Sequence, residues 1–304
     1  MHELTLKNRS MMKANSTPCT AIPAIPDADR RFSPAQCDAL FAAVLAHDDI
    51  DMEARLPDAI KLDYTPDQLA RCFGICRQLW QEGVDRAALI EMIATIARHH
   101  AQTPEEQLAF KYLRAKLKHL RFAFVVCDER HRYPRLFHWM TAIMGNLQDA
   151  FKNKQYAHVE RIAIPVRFFL SRFVYALIEK EIDGFRPSTT ESFRRYVHGQ
   201  LDFIRLNLAK DALTSKEFHE VRKVISRLVA HYDNLKILYP SADHSAVSRY
   251  LGTINGLMGN AHDEMVARKF DKTHDYYADT FAMPEEIRQR LTALVGHCEL
   301  QKND

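Results

Sequence analysis

The chain has 304 residues, 42 Lys+Arg against 39 Asp+Glu for a formal net charge of +3, 47% apolar residues and 9 glycines. That length and apolar share are enough to bury a core, as one large domain or two ordinary ones, and exclude disorder of the whole chain. So few glycines argue against sandwiches, barrels and phosphate-loop folds, and neither GxGxxG nor GxxxxGK(S/T) occurs.

Pro18, Pro23, Pro26 and Pro34 interrupt any early helical pattern, so residues 1–34 are expected to form a flexible leader. Ser33-Pro34-Ala35-Gln36 reads as a helix start, and residues 35–60 either extend the first bundle or dock a partner. A second start at Thr65-Pro66-Asp67 leads into a segment carrying Cys72 and Cys76. Three residues separate these cysteines, not the two of CxxC sites, and they lie in an apolar helical pattern, which predicts buried thiols rather than ligands. Six scattered cysteines with no secretory apolar stretch at the start predict reduced thiols and a cytoplasmic protein. No apolar run reaches the roughly 18 residues of a membrane span. Further helical patterns cover about 85–100, 104–127, 133–153, 155–182, 188–211, 214–238, 243–269 and 284–296, with no convincing strand. The expectation is an all-α chain of eight to ten helices, with a helical domain over 35–295 and a tail over 296–304.

Charge is unevenly distributed: residues 1–104 carry −3, residues 105–236 carry +9, and residues 237–304 carry −3. A basic middle of this kind hints at an anionic partner. Within it lies a repeat. A basic helix with Lys111, Arg114, Lys118, His119 and Arg121 is followed by Met144-Gly145-Asn146-Leu147-Gln148-Asp149. Another, with His219, Arg222, Lys223 and Arg227, is followed by Met258-Gly259-Asn260-Ala261-His262-Asp263. The shared MGNxxD, some 33 to 39 residues after the start of each basic stripe, predicts an internal duplication. At 100° per residue, Arg222, Lys223 and Arg227 fall within about 80° of His219, and Phe218, Val221, Val224, Ile225 and Leu228 take the opposite arc. Lys111, Arg114, Lys118, His119 and Arg121 are likewise assigned to one face, Lys116 falling on the apolar side. Ordinary solvated faces mix signs to gain ion pairs, so two largely unpaired basic stripes point to an anion site.

These residues resemble the conserved histidine α-helical domain, CHAD, over roughly residues 60–290. His219, Arg222, Lys223, Arg227 and Leu228 match its second-half motif. Arg114, Lys118, Leu120 and Arg121 match the first, and Gly145 with Asp149 and Gly259 with Asp263 match the downstream motifs. The chain departs from the pattern at Lys111 for histidine, His119 for arginine, Ser226 and Val229 for two basic residues, and Gln148 and His262 for arginine. The resemblance implies two pseudo-symmetric helical bundles, about 60–165 and 166–290, facing each other across a basic cleft that binds inorganic polyphosphate. It also implies association with polyphosphate or storage granules in some members.

Physical chemistry suits that ligand. A linear phosphate polymer offers no bases to read, so many cations must line a track, and the arginine fork engages phosphate oxygens in pairs. His119 and His219 would gain charge on binding. Gly145 and Gly259 read as helix-crossing points, and Asp149 and Asp263 as partners orienting basic side chains of their own halves. Arg195, His198 and Arg205 are added to the binding candidates, with Arg161, Arg167, Arg172 and Arg194 as further basic residues nearby in sequence. No catalytic residue, metal or cofactor is called for.

Two other classes compete. His262-Asp263 is an HD dyad, and with His219 or His231 and Asp275 or Asp279 it would make a metal-dependent phosphohydrolase. Its first-repeat equivalent is Gln148-Asp149, which argues that the histidine is incidental. A helical scaffold or nonspecific nucleic-acid binder is the other class, but single-strand binding wants aromatics interleaved with cations, and Phe168, Phe169, Phe173 and Phe203 fall in core-like patterns.

Overall fold

Residues 32–300 are described by a computed structural model, with side chains to residue 297. In chain order they form α1 (Pro34–Leu45), α2 (Pro66–Gly83), α3 (Arg86–His99), α4 (Pro104–Cys127), α5 (Arg135–Lys152), α6 (Tyr156–Phe169), α7 (Arg172–Asp183), α8 (Thr190–Leu208), β1 (Leu213–Thr214), α9 (Ser215–Leu238), α10 (Ala242–Phe270), β2 (Thr280–Phe281) and α11 (Glu285–Leu300). The leader expected over 1–34 lies outside the described residues except for its end, where Phe32 is buried and Ser33 caps α1.

Four helices start on one device. Ser33, Thr65, Thr103 and Thr214 each accept from the N–H three residues on, and Gln36, Gln68, Glu106 and Glu217 accept in return from the cap residue's own N–H. Two donors that the helix start would orphan are satisfied each time. Helix α5 has no such residue at its cap; instead Glu181 of α7 accepts from the N–H groups of Leu136 and Phe137 at 2.9 and 3.2 Å.

The two 24-residue helices, α4 and α9, pack against each other at the centre. Helix α2 lies on α4, α10 on α9, α5 on α6, and α1 touches both central helices. Leu117, Leu120 and Phe124 of α4 and Phe218, Val221 and Ile225 of α9 are fully buried in one continuous core, each contributing roughly 1.5–3 kcal/mol by leaving water. Segment 35–60 belongs to this core: α1 covers the central pair, and the chain after it crosses α10, where Thr253 Oγ1 accepts from Asp51 N–H at 3.0 Å. A side chain at Gly256 would collide with the Asp48 carbonyl, so the small residue is what admits this crossing. Cys72 and Cys76 are buried free thiols, and Cys76 Sγ donates to Asn234 Oδ1 at 3.2 Å.

Three boundaries differ from the sequence expectation. The single helix over 155–182 is two, broken at Leu170-Ser171, where Arg86 Nη1 donates to the Leu170 carbonyl at 2.7 Å. Apolar periodicity continues on both sides of the break, so the pattern hides it. Two strands of two residues exist, Leu213 pairing with Phe281 and Thr214 with Thr280, antiparallel. Helix α11 continues through the expected tail to Leu300. No helix among the described residues is long and apolar enough to cross a membrane.

Candidate functional site

Packing α4 on α9 turns the apolar arc of each helix to the core and brings their basic faces together. Lys118 lies in the electrostatic reach of Arg114 and Arg121 on its own helix and of Arg222 on α9. Burial and these three guanidinium charges pull its pKa to about 7. Arg114 faces Arg222 across the helix pair, and Arg121 faces Arg227. The result is one run of charge, from Arg222 past Lys118 and Arg114 to Arg121 and Arg227.

Among the described residues, Arg114, Lys118, Arg121, Arg222 and Arg227 form no ion pair with any carboxylate. The Nε atoms of all four arginines are buried and have no hydrogen-bond partner among those residues. Such groups usually find partners, because a buried unpaired donor costs about 1–3 kcal/mol and more when charged. At one end the run is held by neutral contacts. Arg121 Nη1 donates to Thr141 Oγ1 at 3.0 Å, Arg227 Nη1 donates to the Tyr133 hydroxyl at 3.1 Å, and Arg227 Nη2 donates to Gln200 Oε1.

Both repeat glycines seat a repeat arginine. A Cβ built on Gly145 would stand 2.8 Å from Arg114 Nη2, and one on Gly259 would stand 2.9 Å from Arg222 Nη2. Each guanidinium therefore lies on bare backbone of the neighbouring helix.

Three imidazoles flank the cations. His219 stacks on His262 with ring centroids 4.4 Å apart, and His262 Nε2 shares a 2.9 Å hydrogen bond with the Tyr276 hydroxyl. Burial first, then the neighbouring His262 ring and the charges of Lys223, Arg222 and Lys118, push His219 down to about 3. Burial and Arg222 hold His262 at about 4, and burial with Arg121 and Lys223 holds His138 at about 4. All three are neutral at pH 7.

Not every residue assigned from sequence joins this group. His119 is 4% exposed and buried on the core side, its Nε2 bonded to Asn234 Oδ1 at 2.9 Å; it lies about 140° round α4 from Arg114, too far to share the basic face. Arg195, His198 and Arg205 occupy the outer face of α8, opposite the Tyr196 and Gln200 side that meets Arg227. Arg195 pairs with Glu191 and Arg205 with Asp202, both at 2.7 Å. Arg161, Arg167, Arg172 and Arg194 are exposed on α6, α7 and α8. Lys223 is at the edge of the group, tied to Glu220 at 2.7 Å, and Lys111 is exposed one turn before Arg114. Asp263 accepts from Lys152 of α5 at 3.0 Å, and its charge also acts on Arg222 of its own half. Asp149 lies near Arg114.

The sequence reading did not pick out Tyr133 and His138, which stack 4.6 Å apart beside Arg121, or Asp48, whose carboxylate charge acts on Lys118 and Arg222. None has a local signature, since each reaches the site from another element. Lys116, off the basic stripe, donates to the Gly83 carbonyl at the end of α2 at 3.3 Å, where a cation meets the negative pole of the helix. Around the HD dyad, His231 is buried apart against Tyr64 and Phe193. Among the described residues no three His, Cys, Asp or Glu side chains gather where they could hold a metal ion. No family model matches this chain, and neither the curated proteins nor the solved structures contain a significant match to it.

Proposed function

We propose that this protein binds inorganic polyphosphate, or a similar linear polyanion, without chemical turnover, through Arg114, Lys118, Arg121, His219, Arg222 and Arg227, with Lys111 and Lys223 at the margins. The observation that carries the reading is the group of five cations with no carboxylate partner among the described residues and four buried, unpartnered Nε atoms. A group so organised is electrostatically incomplete alone, and an anion with many oxygens would supply both the missing charge and the missing acceptors.

On this reading the chain is a CHAD-like protein whose two halves arose by duplication and meet across the basic face as a cleft. Support comes from the paired arrangement: two Thr-capped helices of equal length, each with an arginine seated on the glycine of its own MGNxxD.

The test is a titration with long-chain polyphosphate at several salt concentrations, with orthophosphate and single-stranded DNA as competitors, on the native protein and on Arg114→Ala/Arg222→Ala. Affinity should fall linearly in log salt, because counterions are released, resist both competitors, and be lost in the double variant. Binding that is absent, or that survives the double substitution, would overturn the proposal. Effective competition by DNA would favour a general nucleic-acid binder.

A further inference from the structure

The two repeats differ where the first stripe residue meets the residue before the repeat aspartate. In the second copy these are His219 and His262, which stack and close the space between them, with Tyr276 against His262. In the first copy the corresponding residues are Lys111 and Gln148. They line an open cavity of about 680 Å³ between the ends of α3 and α5 and the starts of α4 and α6.

The chemistry of this cavity is not that of a bare phosphate track. Ile96, Phe110, Leu147 and Phe151 supply apolar wall, and Tyr156 lies stacked on His100 at 4.8 Å, the two rings nearly parallel. A phosphate chain gains nothing from such surface, whereas a planar ring does. Three lysines, Lys111, Lys152 and Lys154, also line it; Lys152 is tied to Asp263 at 3.0 Å, and no carboxylate belongs to the lining itself. Two amide atoms on its lining are buried without hydrogen-bond partners among the described residues: the acceptor Gln148 Oε1 and the donor Gln102 Nε2. A nucleobase edge carries donors and acceptors side by side, which suits a lining that holds amide groups of both kinds.

We infer that this cavity binds the base of a nucleoside polyphosphate, whose phosphates lie on Lys111, Lys152 and Lys154 next to the arginine group. The site goes beyond the polyanion reading and does not depend on it. The asymmetry between the copies follows: one pair of positions is closed by stacked imidazoles, and the other is open to a ring.

The experiment is equilibrium titration of the full chain with ATP, inorganic triphosphate and adenosine at fixed ionic strength, on the native protein, Gln148→Leu, Tyr156→Ala and, as a control away from the cavity, Arg195→Ala. ATP should bind at least about tenfold tighter than triphosphate, the scale of one base stacked on an aromatic platform. That advantage should vanish in Gln148→Leu and Tyr156→Ala and persist in Arg195→Ala. Thermal melts would establish that the variants fold; Gln148→Leu removes an unsatisfied buried atom and should not lower the melting temperature. Equal affinity for ATP and triphosphate, or an advantage that survives both cavity variants, overturns the inference. The two readings fail separately: ATP binding without polyphosphate binding removes only the polyanion reading, and the reverse removes only this one.

Discussion

Arg222 rests its guanidinium on Gly259, and the closest atom, Nη2, is 2.9 Å from where a Cβ would stand. Arg114 holds the same relation to Gly145 at 2.8 Å. Helix interiors disfavour glycine, so each has a packing reason, and here the reason is a cation that must approach backbone closely.

Gly145→Ala and Gly259→Ala should therefore separate stability from binding. Alanine is favoured over glycine in a helix by about 1 kcal/mol, which offsets the small displacement of a flexible arginine end. Melting temperature should hold or rise, while polyphosphate affinity falls roughly fivefold, about 1 kcal/mol, for each substitution. Unchanged affinity in both variants would mean the seats do not set the arginine positions.

Lys118 makes affinity depend on pH. With its pKa at about 7 in the free protein, and an anion raising it, binding takes up a proton above pH 7, so affinity falls as pH rises from about 7 toward the ordinary lysine range near 10. Below about pH 6 the imidazoles of His138, His219 and His262, held at 4 or lower when the site is free, take up protons on binding and strengthen it further. Calorimetry in two buffers of different ionisation enthalpy would count the protons. Lys118→Met should flatten the upper limb and leave the lower one.

The same lysine costs stability. Its folded pKa lies below the unfolded one, so between about pH 7 and 10 the unfolded chain holds more protons and stability rises with pH through that window. Lys118→Met should stabilise the free protein at pH 6–7 by about 1–3 kcal/mol, the scale seen when buried charges give way to apolar side chains, while weakening polyphosphate binding. A melting temperature that falls would contradict the electrostatic account.

His119 and the outer face of α8 provide the contrasting case. His119→Ala removes a buried hydrogen bond to Asn234 and leaves a cavity, so stability should drop by about 2–3 kcal/mol with little change in polyphosphate affinity. Arg195→Ala/Arg205→Ala should alter neither by much, since exposed pairs contribute about 0–1 kcal/mol. Denaturant titration paired with the binding assay checks both.

Much of the molecule follows from local sequence. The capping boxes at Ser33, Thr65, Thr103 and Thr214 and the 3.6-residue periodicity of α4 and α9 set these helices and their buried arcs, because a helix start and an apolar face are decided within a few neighbouring residues. The stripe residues Arg114, Lys118, Arg121, Arg222 and Arg227 were legible for the same reason. Tertiary packing decided the rest. His119 lies in the same stretch as the stripe, and its azimuth about 140° from Arg114 was itself legible in the sequence; packing decided only that Asn234 meets it in the core. Tyr133 and His138 reach the cations from the element that follows α4, and Asp48 from about 70 residues upstream of Lys118. The break at Leu170-Ser171 is supported by Arg86, a residue of another helix. The pKa of Lys118 is depressed first by burial, then by Arg114 on its own helix and by Arg222 from a helix about a hundred residues later, and the burial and the Arg222 charge arise only from packing. Sequence fixes which faces are apolar and which are charged; only packing α4 against α9 brings two like-charged faces close enough for each to change the other's chemistry, because Coulomb energies depend on through-space distance and burial rather than on position along the chain.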